Sequence, residues 1–240
     1  MENLFKTFFA QYSINAMEIM PESHHSHPWE GNRAESFVHS MEKLVKYRYR
    51  PFAKQIRKAI ERFGKTENSE ILDIGCGPGL LLFEIKKLIP SINLMGLDSS
   101  EAMLAIANKK AKENHLEFLD LRQGSAESMP FEDTSIDIVT CLSSLHDFKE
   151  AKTTLREVYR VLRDEGLFIL KDKNASYPKW KMRIQFVPLL FRIGYKRTAR
   201  YFKSRELWFG ANKVKDWMKE IGFLIQKLEN KKDYVIIGKK

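Results

Sequence analysis

The stretch Ile71-Leu-Asp-Ile-Gly-Cys-Gly-Pro-Gly79 restricts the fold more than any other part of this chain. A short apolar strand runs into a turn with three glycines, and an apolar helix, Leu80 to Leu88, follows. Gly75, Gly77 and Gly79 allow a sharp turn and let a ligand lie against bare backbone, while the helix N-terminus offers N–H donors. Nineteen residues after Gly79, at the end of the next apolar strand, stands Asp98. A carboxylate in that place can accept from both hydroxyls of a ribose. A solvated acid beside a glycine turn would explain each feature singly. A nucleoside-type ligand explains strand, glycines and acid together.

The surrounding pattern alternates helix and strand. Phe52, Ile56, Ala59, Ile60 and Phe63 recur at helical spacing before Gly64. Strands are expected at 70–74, 92–97, 118–122, 136–141 and 167–170, with helices over 80–88 and 101–112. Asp147 and Glu150 read as a capping box opening a helix whose apolar face is Ala151, Leu155, Val158, Tyr159 and Leu162, closed by Gly166. Val214, Trp217, Met218 and Ile221 mark a last helix before Gly222. Two strands, 223–228 and 234–237, finish the chain, and so short a link joins only antiparallel neighbours. The expected fold is α/β and Rossmann-like: a seven-stranded, mostly parallel sheet with an antiparallel C-terminal hairpin and helices on both faces.

A dinucleotide turn reads G-x-G-x-x-G, but its third glycine position is Leu80 here. The pattern instead is D-x-G-x-G-x-G from Asp73, and the chain resembles the class I S-adenosylmethionine-dependent methyltransferases. Three later stretches carry the same resemblance: Gly124-Ser-Ala-Glu-Ser-Met-Pro-Phe131, Ser135-Ile-Asp-Ile-Val-Thr-Cys-Leu-Ser-Ser-Leu-His146 and Leu155-Arg-Glu-Val-Tyr-Arg-Val-Leu-Arg163. It covers about residues 50–172 and the last 30. It implies S-adenosyl-L-methionine as cofactor and methyl transfer as the activity. Gly75, Gly77 and Gly79 would pass the methionine moiety, and Asp73 would hold the turn and the ligand's amino group. Asp98 would bind the ribose, Ser99 and Met103 would flank the adenine, and Ser125 and Ala126 would meet its edge. Leu142 would touch the cofactor through its backbone. The family often has aspartate at the Ser125 position, which weakens that contact here. Arg163-Asp-Glu-Gly166 replaces the usual Pro-Gly-Gly turn. A chain of this fold that binds the cofactor only as a regulatory subunit is the alternative of another class.

His146 lies beyond the fourth strand, at the carboxyl edge where open α/β sheets bind ligands. It is the candidate catalytic residue, as base or orienter of an acceptor, against a loop histidine bonded to backbone. Cys76 and Cys141 are too few and too far apart for a disulfide framework and read as packing residues. His24, His25, His27 and His39 are four of six histidines. They lie mostly in a polar loop, where adjacent side chains seldom converge, so no metal is expected.

The formal net charge is +10, and its distribution is uneven. Residues 1–170 hold 22 basic and 25 acidic side chains, whereas residues 171–205 hold 11 and one. That segment also contains Tyr177, Trp180, Phe186, Phe191, Tyr195, Tyr201 and Phe202. Such a basic aromatic insertion suits three roles: a lid over a small hydrophobic or aromatic acceptor, an element meeting anionic lipid with a quinone or lipid acceptor, or an RNA platform. The chain therefore divides into an N-terminal helical cap or lid (1–50), a cofactor-binding core (51–172), a basic aromatic lid insertion (173–210) and the last helix with its antiparallel strands (211–240). No apolar run reaches the ~20 residues needed to span a bilayer, and the N-terminus lacks a secretory pattern, so a cytoplasmic location is expected.

Overall fold

A computed structural model describes residues 31–66, 68–116, 119–182, 184 and 204–240. Of the positions singled out above, His24, His25 and His27 lie outside these residues, as do Phe118 and the aromatics from Phe186 to Phe202.

Seven strands form one sheet: β1 Glu70–Ile74, β2 Asn93–Asp98, β3 Asp120–Gln123, β4 Ile136–Leu142, β5 Leu162–Lys173, β6 Leu224–Asn230 and β7 Asp233–Lys239. Their order is β3-β2-β1-β4-β5-β7-β6. The first five pair in parallel, and β7 runs antiparallel to both β5 and β6. The order reverses direction between β1 and β4, so the loops leaving those strands diverge and open a crevice at their carboxyl ends.

Six α-helices are described: α1 Gly31–Glu42, α2 Arg50–Arg62, α3 Leu80–Leu88, α4 Glu101–Glu113, α5 Ala151–Val161 and α6 Ala211–Ile221. A π-helical turn, Val45–Tyr49, leads into α2. Phe52, Ile56, Ala59 and Ile60 of α2 pack with Leu81, Leu82 and Ile85 of α3 and Leu104 of α4 on one face of the sheet. Leu155 and Val158 of α5 pack with Val214 and Met218 of α6 on the other, over Phe168 and Tyr234. β1 and β4 are buried along nearly their whole length because both faces are covered. Glu84 of α3, 2% exposed, is held by Arg50 at 2.7 Å and Lys87 at 3.0 Å, tying α2 to α3. α1 lies on the start of α4, where Ala34 and Val38 enclose Met103.

The helix expected from a capping box begins elsewhere. Asp147 belongs to a 3-10 turn, Leu145–Asp147, and its carboxylate lies 3.4 Å from His146 Nε2. The helix opens at Ala151 with Glu150 as N-cap and no side-chain cap bond, because Leu145–Asp147 is taken up in the 3-10 turn that precedes it. The helix also ends five residues before Gly166. β5 starts at Leu162, directly after α5, and Gly166 lies within it. Glu165 takes the left-handed conformation (φ 64) and the register with β4 shifts there. An irregular strand thus replaces the expected glycine turn.

Candidate active site

The glycine turn closes on itself. Gly75, Gly77 and Gly79 have φ of 64, 52 and 74, a region costly for residues with a Cβ. The N–H groups of Gly75 and Cys76 both donate to the Leu97 carbonyl, at 2.8 and 3.1 Å, and Gly79 donates to Cys76 O at 3.1 Å. Gly77 N–H donates to Asp98 Oδ2 at 2.7 Å. Pro78 has none to give. Every N–H of the turn from Gly75 to Gly79 is therefore spoken for, unlike a phosphate cradle, whose amides point at the ligand. An added Cβ at Gly77 would meet nothing within 4 Å, so this backbone borders open space. At Gly75 it would lie 2.5 Å from Ser144 Cβ, so only glycine fits there.

Asp98 ends β2 and joins the turn to α4. Its Oδ1 accepts from Ser100 N at 2.9 Å while Oδ2 accepts from Gly77. Each carboxylate oxygen has two lone-pair sites, so one remains on each for a further donor. Burial pushes the Asp98 carboxyl upward, opposed by those two backbone donors. Asp73, 2% exposed, sits beneath the turn in β1 and accepts from Thr140 Oγ1 at 2.7 Å. Burial raises its carboxyl to about 7, against the Thr140 hydrogen bond and with help from the charge of Asp98.

The other expected contacts lie along the same edge. Ser99 is exposed, and its carbonyl accepts from Gln123 at 3.3 Å. Met103 is 3% exposed under α1, rather than open to the crevice. Ser125 donates to Glu127, so its hydroxyl is already engaged; Ala126 is buried beside it. Leu142 ends β4 and is 9% exposed. Cys76 and Cys141 are buried free thiols, raised well above their usual range by burial.

His146 is turned away from solvent. Its side chain is 2% exposed, with Nδ1 2.7 Å from Asp172 Oδ1 and Nε2 3.4 Å from Asp147 Oδ1. Its own N–H also donates to Asp172 Oδ2, at 3.1 Å. Asp172, in β5, is fully buried. Burial opposes its charge, but His146, the backbone N–H of Lys173 and the Lys173 charge outweigh burial and hold its carboxyl below the usual range. The loop so pinned contains Ser143, a left-handed serine (φ 57) whose N–H donates to Lys171 O at 2.8 Å. It also contains Ser144, whose Oγ donates to Gly75 O at 3.1 Å. The pair thus braces the wall against which Gly75 rests. Asp172 carried no sequence signal: it lies 26 residues from His146 and joins it only through space. Among the described residues no group of three or more metal-ligating side chains occurs, and His39 faces Glu42 at 3.8 Å.

Two carboxylates stand beside an open glycine backbone whose turn amides are consumed internally, an arrangement without the free amides of a phosphate cradle. The comparisons agree. The Methyltransferase domain family matches residues 72–170. A demethylmenaquinone methyltransferase of Lactococcus lactis is 30% identical over 177 residues, 70% of each chain. A Bacillus subtilis methyltransferase of uncharacterized activity is 36% identical over 147 residues, 60% of this chain and 56% of that one. A solved methyltransferase of Aquifex aeolicus shares the fold, with a TM-score of 0.59 at 17% identity over 76% of this chain and 88% of that one. The chain belongs to the class I S-adenosylmethionine-dependent methyltransferases. Its cofactor is S-adenosylmethionine.

Proposed function

We propose that this enzyme methylates an apolar, hydroxyl-bearing aromatic acceptor of the quinol type, bound at the carboxyl edge beyond β4 and β5. The observation that carries this reading is the similarity to the demethylmenaquinone methyltransferase over 70% of both chains. The half-buried ring of Tyr49, beside Arg48 near that edge, supports it.

When bound, S-adenosylmethionine supplies a methyl group already activated by its sulfonium. The protein's task is then mainly positioning. We assign Asp98 to the ribose hydroxyls and Asp73 to the amino group. Gly75, Gly77 and Gly79 form the floor for the methionine moiety, and Ser99, Ser125, Ala126 and Leu142 form the surround of the adenine, with Met103 packed behind it under α1. His146, enclosed between Asp172 and Asp147, is a positioning residue that holds the Ser143–Ser144 wall.

The test is direct. Purified protein is incubated with S-adenosylmethionine carrying a labelled methyl group and a short-chain naphthoquinol, a phospholipid or total tRNA. Label is expected in the quinol, recovered as a C- or O-methylated product. Label entering only lipid or only tRNA would replace this acceptor class with one of those.

The assignment of Asp73 gives a pH dependence. Its raised value means that the free protein retains this proton up to about pH 7, whereas a bound ammonium requires the ionised carboxylate. The ligand's amino group stays cationic across that range. Affinity for S-adenosylhomocysteine is therefore expected to rise about tenfold from pH 5.5 to pH 7, by titration calorimetry. Asp73→Asn should flatten the curve. A flat profile in the unaltered protein would remove Asp73 from the amino group.

A further inference from the structure

Beside the donor crevice, three cations share one side of the sheet. Lys171 and Lys173 are two apart in β5 and so project to the same face, opposite to Asp172. Lys171 Nζ lies 5.9 Å from the Phe52 ring centroid in α2, and Lys173 Nζ lies 5.2 Å from that of Trp208. Arg48 precedes Phe52 by one helical turn and lies against Tyr49, 5.9 Å from its ring. It is close enough for its charge to act on both lysines. Tyr49 in turn feels the charges of Arg48 and of Asp73 in the donor crevice, which places the group next to the methyl donor.

These cations are poorly neutralised. None has a carboxylate within 4 Å among the described residues, where other basic side chains of this protein are often paired. The acids that act on them from further away are Asp147, Asp172, Glu229 and Asp233. Asp172 and Asp147 face His146 and Glu229 is bound by Lys227 at 2.6 Å, which leaves Asp233, opposite Lys173 in β7, as the acid set against the three cations. Residues 173–205, which continue the chain from this point, contain no acid at all. Holding half-buried like charges together without an anion is unfavourable, and an anion completes the group.

We propose that Arg48, Lys171 and Lys173 form an oxyanion-binding floor on the acceptor side, which selects an aromatic acceptor carrying a carboxylate or an ionised hydroxyl. Tyr49, half-buried beside Arg48, supplies the aromatic contact and the three cations fix the charged edge, with Phe52 and Trp208 buried behind the lysines. This rests on the aromatic-acceptor reading above and adds the requirement of a negative charge.

The probes are 2-naphthoate and 2-naphthamide, alike in shape and different in charge. Each is titrated into the full chain loaded with S-adenosylhomocysteine. The naphthoate is expected to bind at least about tenfold more tightly, as charge-assisted hydrogen bonds require. Lys171→Met with Lys173→Met should erase that preference while affinity for S-adenosylhomocysteine stays unchanged, and Lys173→Arg should keep it. Equal affinity for the two probes, or no binding of either, overturns the proposal without touching the quinol assay. A naphthoate preference in a protein that fails to methylate quinol would leave the anion site standing and remove only the acceptor named above.

Discussion

Replacing His146 with alanine is expected to cost about 3–5 kcal/mol of stability, a fall in Tm on the order of 10 °C, measured by calorimetry or thermal denaturation. The reason is the state of Asp172. Its side chain is wholly buried, and the imidazole at 2.7 Å is the partner that keeps a charge there tolerable. Removing the partner leaves an ion in a low-dielectric interior, which is far worse than never having placed it there. Asp172→Asn combined with His146→Ala should therefore lose less than the sum of the two single changes. The pH dependence follows from the lowered carboxyl of Asp172. A carboxyl depressed in the folded state stabilises above its unfolded value, near pH 4, and that contribution is lost as pH falls through the folded value. The gap between the native protein and His146→Ala should thus be full at neutral pH and shrink on acidification. A gap below about 1 kcal/mol at pH 7, or one independent of pH, would show that the buried Asp172 carboxylate does not depend on this imidazole.

Asp98→Ala is expected to weaken S-adenosylhomocysteine binding by about 100-fold or more, measured by calorimetric titration, with the far-ultraviolet spectrum unchanged. Two losses combine. The Gly77 and Ser100 amides, now held at 2.7 and 2.9 Å, lose their shared acceptor, so the turn and the start of α4 are no longer latched together. The two lone-pair sites left for ribose hydroxyls disappear as well. Asp98→Asn should fall between, because an amide retains one acceptor oxygen but presents an NH2 to the other backbone donor. An affinity within tenfold of the native value for Asp98→Ala would place the ribose elsewhere.

The glycine turn, its position after a buried strand and the acid at the end of the next strand were all readable along the chain. Each depends on local chemistry: which residues tolerate positive φ, which runs are apolar on both sides, and where a strand must end. The alternation of helix and strand likewise implied the parallel sheet, and the short final link implied the antiparallel hairpin. Local reading failed where the folded surroundings overrode a local pattern. Asp147 has the spacing of a helix cap, yet it faces His146 instead, and α5 starts without it. Gly166 has the look of a helix end, yet β5 begins four residues earlier because Leu162 pairs with Ile136 across the sheet.

Charge shows the same division. The basic excess at 171–205 is visible by counting, but the count cannot separate Asp172 from its two lysine neighbours. Strand geometry does so, turning Asp172 toward His146 on one face while Lys171 meets Phe52 on the other. Arg48 stands more than a hundred positions earlier and reaches the lysines only because α2 packs over β5. Composition and spacing thus determine which donor this protein binds, since that site is built from one contiguous turn and the end of the adjacent strand. The acceptor side we propose draws on residues far apart in the chain, which only the folded sheet brings to one face.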